Sequence, residues 1–164
     1  MTQQQTRASK RQTIEQERGQ EAWSCIKNIK KLEKKEQQEY RSLARSLNSM
    51  IQINGLAQTL GFLKAKGKNK DDKGQPKKNA HYYLLEHLTH WMHQHFNTAI
   101  TDASDAKNDG LLIWVLDKDT FSADYRRATT ECLAFGRWLS RFAEAELSEN
   151  TSSTNDTGGE VGNG

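Results

Sequence analysis

The densest chemistry in the sequence is a run of five histidines. His81, His87, His90, His93 and His95 follow the pattern H-x5-H-x2-H-x2-H-x-H. At i, i+3 spacing, His87 with His90 or His90 with His93 could share a metal. However, no pair stands at i, i+4, no HExxH is present, and no adjacent Cys or Asp completes a tetrahedral set. His81 and His95 fall on an apolar helix face, where packing or hydrogen bonding accounts for them. Glu86, beside His87 and His90, is the one general-base candidate, and no nucleophile or oxyanion donor accompanies it. Cys25 and Cys132 lie far apart with no CxxC, as expected of reduced thiols in an intracellular protein. The KGKNKDDKG stretch lacks the GxxxxGK[ST] order and a preceding strand, and no GxSxG is present. These residues predict no catalytic site, no metal site and no cofactor, and point to binding instead.

Cations offer the other chemistry. The net charge of +3 conceals +10 over residues 1–78 and −7 over residues 79–164. The basic part suits a polyanion; the acidic part suits a basic neighbour, including another copy of the chain. On a wheel of ~100° per residue, Arg126, Arg137 and Arg141 fall within roughly 60° of one another, opposite an apolar face. The guanidinium fork donates two hydrogen bonds at once and suits phosphate. Trp23, Lys27, Lys30 and Lys34 form a second stripe, extended by Arg41 and Arg45 at i, i+4. Trp23 outside a core either stacks on a base or anchors a protein contact; a single aromatic makes the protein interface at least as good a reading. Either basic stripe is equally what a solvated helix face looks like.

Helices must position these groups. The 164 residues contain one Pro and are 34% hydrophobic and 27% charged. That composition favours long helices in a single domain. No run approaches the roughly 18 apolar residues of a membrane span, and no signal peptide is evident. Residues 1–11 lack an apolar face and are expected to be disordered. Residues 12–36 read as a helix with Ile14, Ala22, Cys25, Ile26, Ile29 and Leu32 on one side. Residues 37–47 form a shorter helix. Residues 48–65 are apolar nearly all round and read as a buried central helix in which Gly55 and Gly61 permit close approach. Residues 66–78, with six lysines and no apolar residue, read as a flexible basic loop. A helix over 79–98 and an Asp-rich turn over 101–110 follow. The LLIWVL run at 111–116 fits strand or helix; with no partner strand elsewhere it is read as helix. The last helix spans 120–147, with Phe121, Tyr125, Ala128, Cys132, Phe135, Leu139 and Phe142 on its apolar face. Residues 148–164 read as a disordered tail. The expectation is therefore an all-α fold: a compact bundle of about five to six helices over 12–147, with disordered termini.

Three segments taken together carry a resemblance. Tyr40–Ala44 (YRSLA) leads into Met50–Leu63 (MIQINGLAQTLGFL), and Tyr125–Phe142 reads YRRATTECLAFGRWLSRF. The order of basic first helix, INGL helix, variable basic loop and closing YR-x-AT-x-E…W-L-x-R-F helix resembles the Cmr fifth-subunit family. These are the small α-helical subunits of type III-B CRISPR effector complexes, and the resemblance covers roughly residues 12–147.

The resemblance implies a non-catalytic, cytoplasmic ribonucleoprotein subunit in antiviral defence. It implies stacked copies of the chain beside backbone subunits that hold the guide RNA, and contact with a large signalling subunit at one end. It also implies basic faces turned to single-stranded target RNA, with sequence reading left to base pairing as in RNA-guided DNA effectors. Arg126, Arg137 and Arg141 lie in the matching helix and are its RNA-contact candidates. Lys27, Lys30, Lys34, Arg41 and Arg45 rest on charge alone, and Trp23 on exposure. Two other classes stay open: a scaffold without RNA contact, and a helix-turn-helix DNA-binding regulator, which the apolar central helix argues against.

Overall fold

The computed structural model describes residues 2–103 and 107–149, with side chains from residue 13 onward. In chain order these form α1 (Thr2–Ile29), α2 (Lys34–Asn54), α3 (Leu56–Lys66), β1 (Asn69–Lys70), β2 (Pro76–Lys77), α4 (Ala80–His95), α5 (Gly110–Leu116) and α6 (Ser122–Glu146). The all-α expectation holds. The tail from residue 150 onward, expected to be disordered, lies outside the described residues. No helix among them is long and apolar enough to cross a membrane.

Helix α1 buries Ala22, Cys25, Ile26 and Ile29 at i, i+3, i+4 and i+7. It starts at Thr2 rather than residue 12, and ends at Ile29 rather than 36. At that end the Gln37 amide donates to the carbonyls of Lys30 and Leu32, at 3.1 and 2.9 Å. Carbonyls of the turn between α1 and α2 thereby gain partners. Lys34 therefore opens α2 and does not continue the α1 stripe.

The stretch expected as a helix over 37–47 and another over 48–65 is instead divided at Gly55. Its φ of 84° lies in the left-handed region that favours glycine. The Gly55 N–H still donates to Ile51, and its carbonyl accepts from the Thr59 hydroxyl at 2.9 Å. The Ala57 N–H, in the first turn of α3, donates to the Tyr125 hydroxyl at 3.0 Å. Gly55 thus ends one helix and starts the next. Gly61 has no neighbour within 4 Å of a Cβ built there, so it marks no close approach.

Residues 66–78, expected as a loop, contain a short two-stranded ribbon. Strands β1 and β2 pair antiparallel, with Asn69 opposite Lys77 and Lys70 opposite Pro76. The Asp71 carboxylate accepts the N–H groups of Lys73 and Gln75, both at 2.9 Å, and so builds the turn. At the base, the Asn79 amide donates to the Lys66 carbonyl at 2.7 Å. Its oxygen accepts from the Tyr82 N–H at 3.0 Å, capping α4.

Helix α6 packs against both α1 and α2 and touches α4 behind them. Ala128, Cys132, Phe135, Leu139 and Ala143 are its buried stripe; Phe121, expected there, precedes the helix and is 76% exposed. A Cβ on Gly136 would collide with the Asn48 side chain, whose amide donates to the Leu133 carbonyl at 3.0 Å. A larger residue here would have to displace the Asn48 and Leu47 side chains of α2. Trp91 of α4 stacks on Phe135 at 4.8 Å between centroids. Fully burying a side chain of this size contributes roughly 1.5–3 kcal/mol. The LLIWVL run is helical, with Leu111 and Val115 inward.

Candidate nucleic-acid interface

The signature residues of α6 divide between two faces. Inward, Tyr125 supplies the hydroxyl that accepts from α3. Glu131 receives a two-pronged bond from Arg18 of α1, Nε and Nη2 each at 2.8 Å, and a third from the Trp91 indole at 3.0 Å. Burial alone would raise the Glu131 pKa. The bonds from Arg18 and Trp91 outweigh it and hold the carboxyl below the usual range. Glu15 continues the chain of contacts, accepting from Arg18 Nη1 and from the Trp138 indole, both at 3.0 Å. One carboxylate on α6 therefore fastens α1 and α4 to it. Periodicity does not find this set, because Arg18 and Glu131 are 113 residues apart.

Outward, Arg126, Arg137 and Arg141 are exposed. Among the described residues none of the three has a carboxylate partner. Arg137 and Arg141 flank Trp138 one turn apart, in a shallow groove of about 270 Å³ that also includes Glu15 and Ala134. Arg126 stands apart: eleven residues at 1.5 Å each separate it from Arg137 by roughly 16 Å along the helix. It lines a different groove, with Phe96, Thr130 and the Arg18–Glu131 pair. Its neighbour Arg127 is bonded to Asp124 at 3.3 Å and lies over the Phe96 ring.

The α1/α2 cations have a different setting. Lys30 and Lys27 both reach Glu146, at 2.8 and 3.6 Å. Arg41 meets Glu149 at 3.1 Å and Arg45 meets Glu144 at 3.8 Å. The Lys30 hydrogen bond, with Lys27 beside it, keeps the Glu146 carboxyl below its ordinary pKa despite some opposing desolvation. The Gln38 amide donates to the Glu149 carbonyl, fixing the segment after α6 against α2. Trp23 is 39% exposed, its edge against Phe142 and the Lys27 ammonium 4.5 Å over its ring. Lys34 is exposed at the start of α2.

The histidines are dispersed among separate jobs. His87 is buried and shares a hydrogen bond with the Tyr40 hydroxyl at 2.7 Å; burial, then the nearby His90, bring its pKa down to about 3. His90 lies 2.9 Å from Asp102, and His93 meets the Ile100 carbonyl. His95 stacks on Trp91 and pairs with Glu17 at 3.3 Å. His81 packs against Phe62. No group of three His, Cys, Asp or Glu suited to a metal occurs among the described residues. Cys25 and Cys132 are free and buried, and burial pushes both thiols up.

The family model for CRISPR-associated protein Cas_Cmr5 matches residues 14–146. A curated relative, the CRISPR system Cmr subunit Cmr5 of Thermotoga maritima, is 30% identical over 122 residues, covering 73% of this chain and 75% of the relative. The crystal structure of a CRISPR-associated Cmr5 family protein from Thermus thermophilus superposes with a TM-score of 0.59 at 24% identity. It covers 82% of this chain and 97% of that one, a likeness of fold. The matched span runs from the Glu15 contact at the start of the α1–α6 interface to the Glu146 clasp at its end, and this chain belongs to the Cmr5 family of CRISPR-associated proteins.

Proposed function

We propose that this chain is the non-catalytic small subunit of a type III-B CRISPR (Cmr) effector, working in the cytoplasm in antiviral defence. In this reading copies of it stack beside the guide-bearing backbone subunits and meet the large signalling subunit. The outer face of α6 holds the phosphates of single-stranded target RNA and supports its duplex with the guide. The observation that carries this is the Arg137–Arg141 pair. Two exposed guanidinium groups one turn apart, with no carboxylate partner among the described residues, are available to phosphate oxygens. The relative from Thermotoga maritima is itself named a Cmr subunit, which supports the assembly part.

The isolated chain should bind single-stranded RNA weakly and without sequence preference. A Kd on the order of 10⁻⁴–10⁻⁶ M, with steep salt dependence, is what neutralising a few phosphates yields. With Arg137→Glu and Arg141→Glu together, the effector should still assemble but bind target RNA at least roughly ten-fold less well, the two reversed charges now repelling phosphate. Failure to assemble would place this face at a protein contact instead.

A scaffold reading has its own support on the other stripe. Lys27, Lys30, Arg41 and Arg45 already face Glu144, Glu146 and Glu149 within the chain. That surface needs no RNA to balance it, and Trp23 at its edge suits a subunit contact.

A further inference from the structure

We infer that the lysine ribbon between α3 and α4 forms a second binding site for the phosphate backbone of single-stranded RNA, separate from the α6 arginines. The inference rests on the RNA-binding reading above and adds a location to it.

The ribbon and the helices at its base enclose an open groove of about 740 Å³. Lys64, Lys68, Lys70, Lys77 and Lys78 line it, with Tyr82 in its wall. Three of these lysines already face carboxylates, Lys64 with Asp109 at 3.3 Å, Lys77 with Glu36 at 3.3 Å and Lys78 with Glu86 at 3.9 Å, so the charge left for an external anion rests on Lys68 and Lys70. Lys68 and Lys70 are exposed, and no carboxylate among the described residues meets them. Lys70 stands in β1 and Lys68 two residues before it, just outside the strand, and both line the groove. Asp71 accepts the N–H groups of Lys73 and Gln75 and, with the exposed Asp72, places two negative charges at the turn beyond Lys70.

The order of the ribbon adds to its charge. A floppy lysine loop would lose much of its attraction to the entropy of fixing it. Here the turn is closed by Asp71 and Gly74, and the base is fastened by Asn79 to the end of α3. The backbone that carries the lysines is shaped before any ligand arrives. The chemistry also favours nucleic acid over an acidic protein. Protein interfaces are depleted in lysine and depend on aromatic, Met and Arg anchors in desolvated pockets. This groove is open and has five lysines in its lining, which suits counterion exchange with phosphates.

The test uses the full chain and a fluorescein-labelled oligouridylate, followed by anisotropy over a range of sodium chloride. Lys68→Gln with Lys70→Gln is compared with Lys31→Gln with Lys118→Gln, which removes the same charge from exposed sites elsewhere. The ribbon variant should weaken binding roughly three- to ten-fold at low salt. Its slope of log affinity against log salt should fall by about 1.4, two contacts at ~0.7 each for a single strand. The control pair should stay within about two-fold of the parent and keep its slope. A ribbon variant indistinguishable from the control overturns the inference. So does poly-L-glutamate that displaces the oligouridylate as well as unlabelled RNA does at equal charge, since the groove would then serve an acidic protein. If Arg137→Glu with Arg141→Glu loses binding while the ribbon variant does not, this inference fails and the α6 reading stands. The opposite pattern retains the ribbon and sinks α6.

Discussion

Two helix surfaces of this molecule carry similar numbers of cations and look alike in sequence, yet they differ in what faces them. On α6, Arg126, Arg137 and Arg141 point away from the bundle with no carboxylate partner among the described residues. On α1 and α2, Lys27, Lys30, Arg41 and Arg45 sit under the acidic end of α6 and the residues just beyond it. A basic stripe is thus defined by its partners as much as by its residues. The first stripe has Coulomb attraction left for an external anion. The second directs much of its own at Glu144, Glu146 and Glu149, and an incoming phosphate must displace them.

Any experiment that uses pH to separate the two surfaces meets the largest effect in the molecule first. Lowering pH to protonate the clasp carboxylates also protonates His87, buried against Tyr40. Its folded pKa of about 3 lies below the ordinary 6.5, so the folded state resists the proton that the unfolded chain accepts. The sign follows: this stability is fully present above 6.5 and is lost as pH falls below that value towards 3. One proton corresponds to about 1.4 kcal/mol per pH unit, so a few kcal/mol are at stake across the range. Urea unfolding at stepped pH should show that slope between pH ~6.5 and ~5, and His87→Phe should flatten it. An unchanged slope in His87→Phe would assign the acid sensitivity to other groups. The two stripes are therefore better compared by substitution than by titration.

The next largest effect tests whether α6 separates holding from binding. Glu131→Ala leaves Arg18 and the Trp91 indole without their shared acceptor. The side chains are about four-fifths covered, so the loss should be about 2–3 kcal/mol, less than a fully buried pair. Arg137→Gln, less than two turns further on the outer face, should change unfolding free energy by no more than ~0.5 kcal/mol. Equal destabilisation by the two would mean that the outer arginines are structural after all.

How far the sequence reveals this depends on the range of the interaction. Helix existence and the inward stripes of α1, α4 and α6 follow from spacing, because i, i+3 and i+4 contacts are local. The division at Gly55 does not. An apolar run all round gives no phase to break, and the acceptor for the Ala57 N–H just after the break is Tyr125, 68 residues from Ala57. The ribbon is hidden because its strands are two residues long and carry lysines rather than alternating apolar side chains. Phe121 is misplaced because periodicity alone extends an apolar stripe past the end of its helix. For the candidate site, the α6 arginines are legible and their exposure agrees with the wheel. The pairing of the α1/α2 cations is not. The charge asymmetry between the two halves signals complementary surfaces, but Lys30 and Glu146 are 116 residues apart, and only the fold brings them together.

The smallest effect bears most directly on the comparison. If the α1/α2 stripe is quiet only because the clasp covers it, then Glu146→Gln with Glu149→Gln should wake it. Glu149 is exposed whereas Glu146 is only about one-fifth exposed, so the variant should unfold somewhat more easily than the parent yet stay folded under the binding conditions. Its affinity for single-stranded RNA should rise roughly two- to five-fold, and its salt slope should steepen as Lys27, Lys30 and Arg41 gain phosphates to neutralise. Adding Lys27→Gln and Lys30→Gln should cancel the gain, whereas Arg137→Gln with Arg141→Gln should lower affinity without removing the difference the clasp makes. That pattern would establish two independent basic surfaces, one open and one restrained by the chain's own acidic end. Unchanged affinity in the clasp variant would mean that the stripe does not meet RNA even when unpaired, leaving Trp23 and its neighbouring cations to a subunit contact.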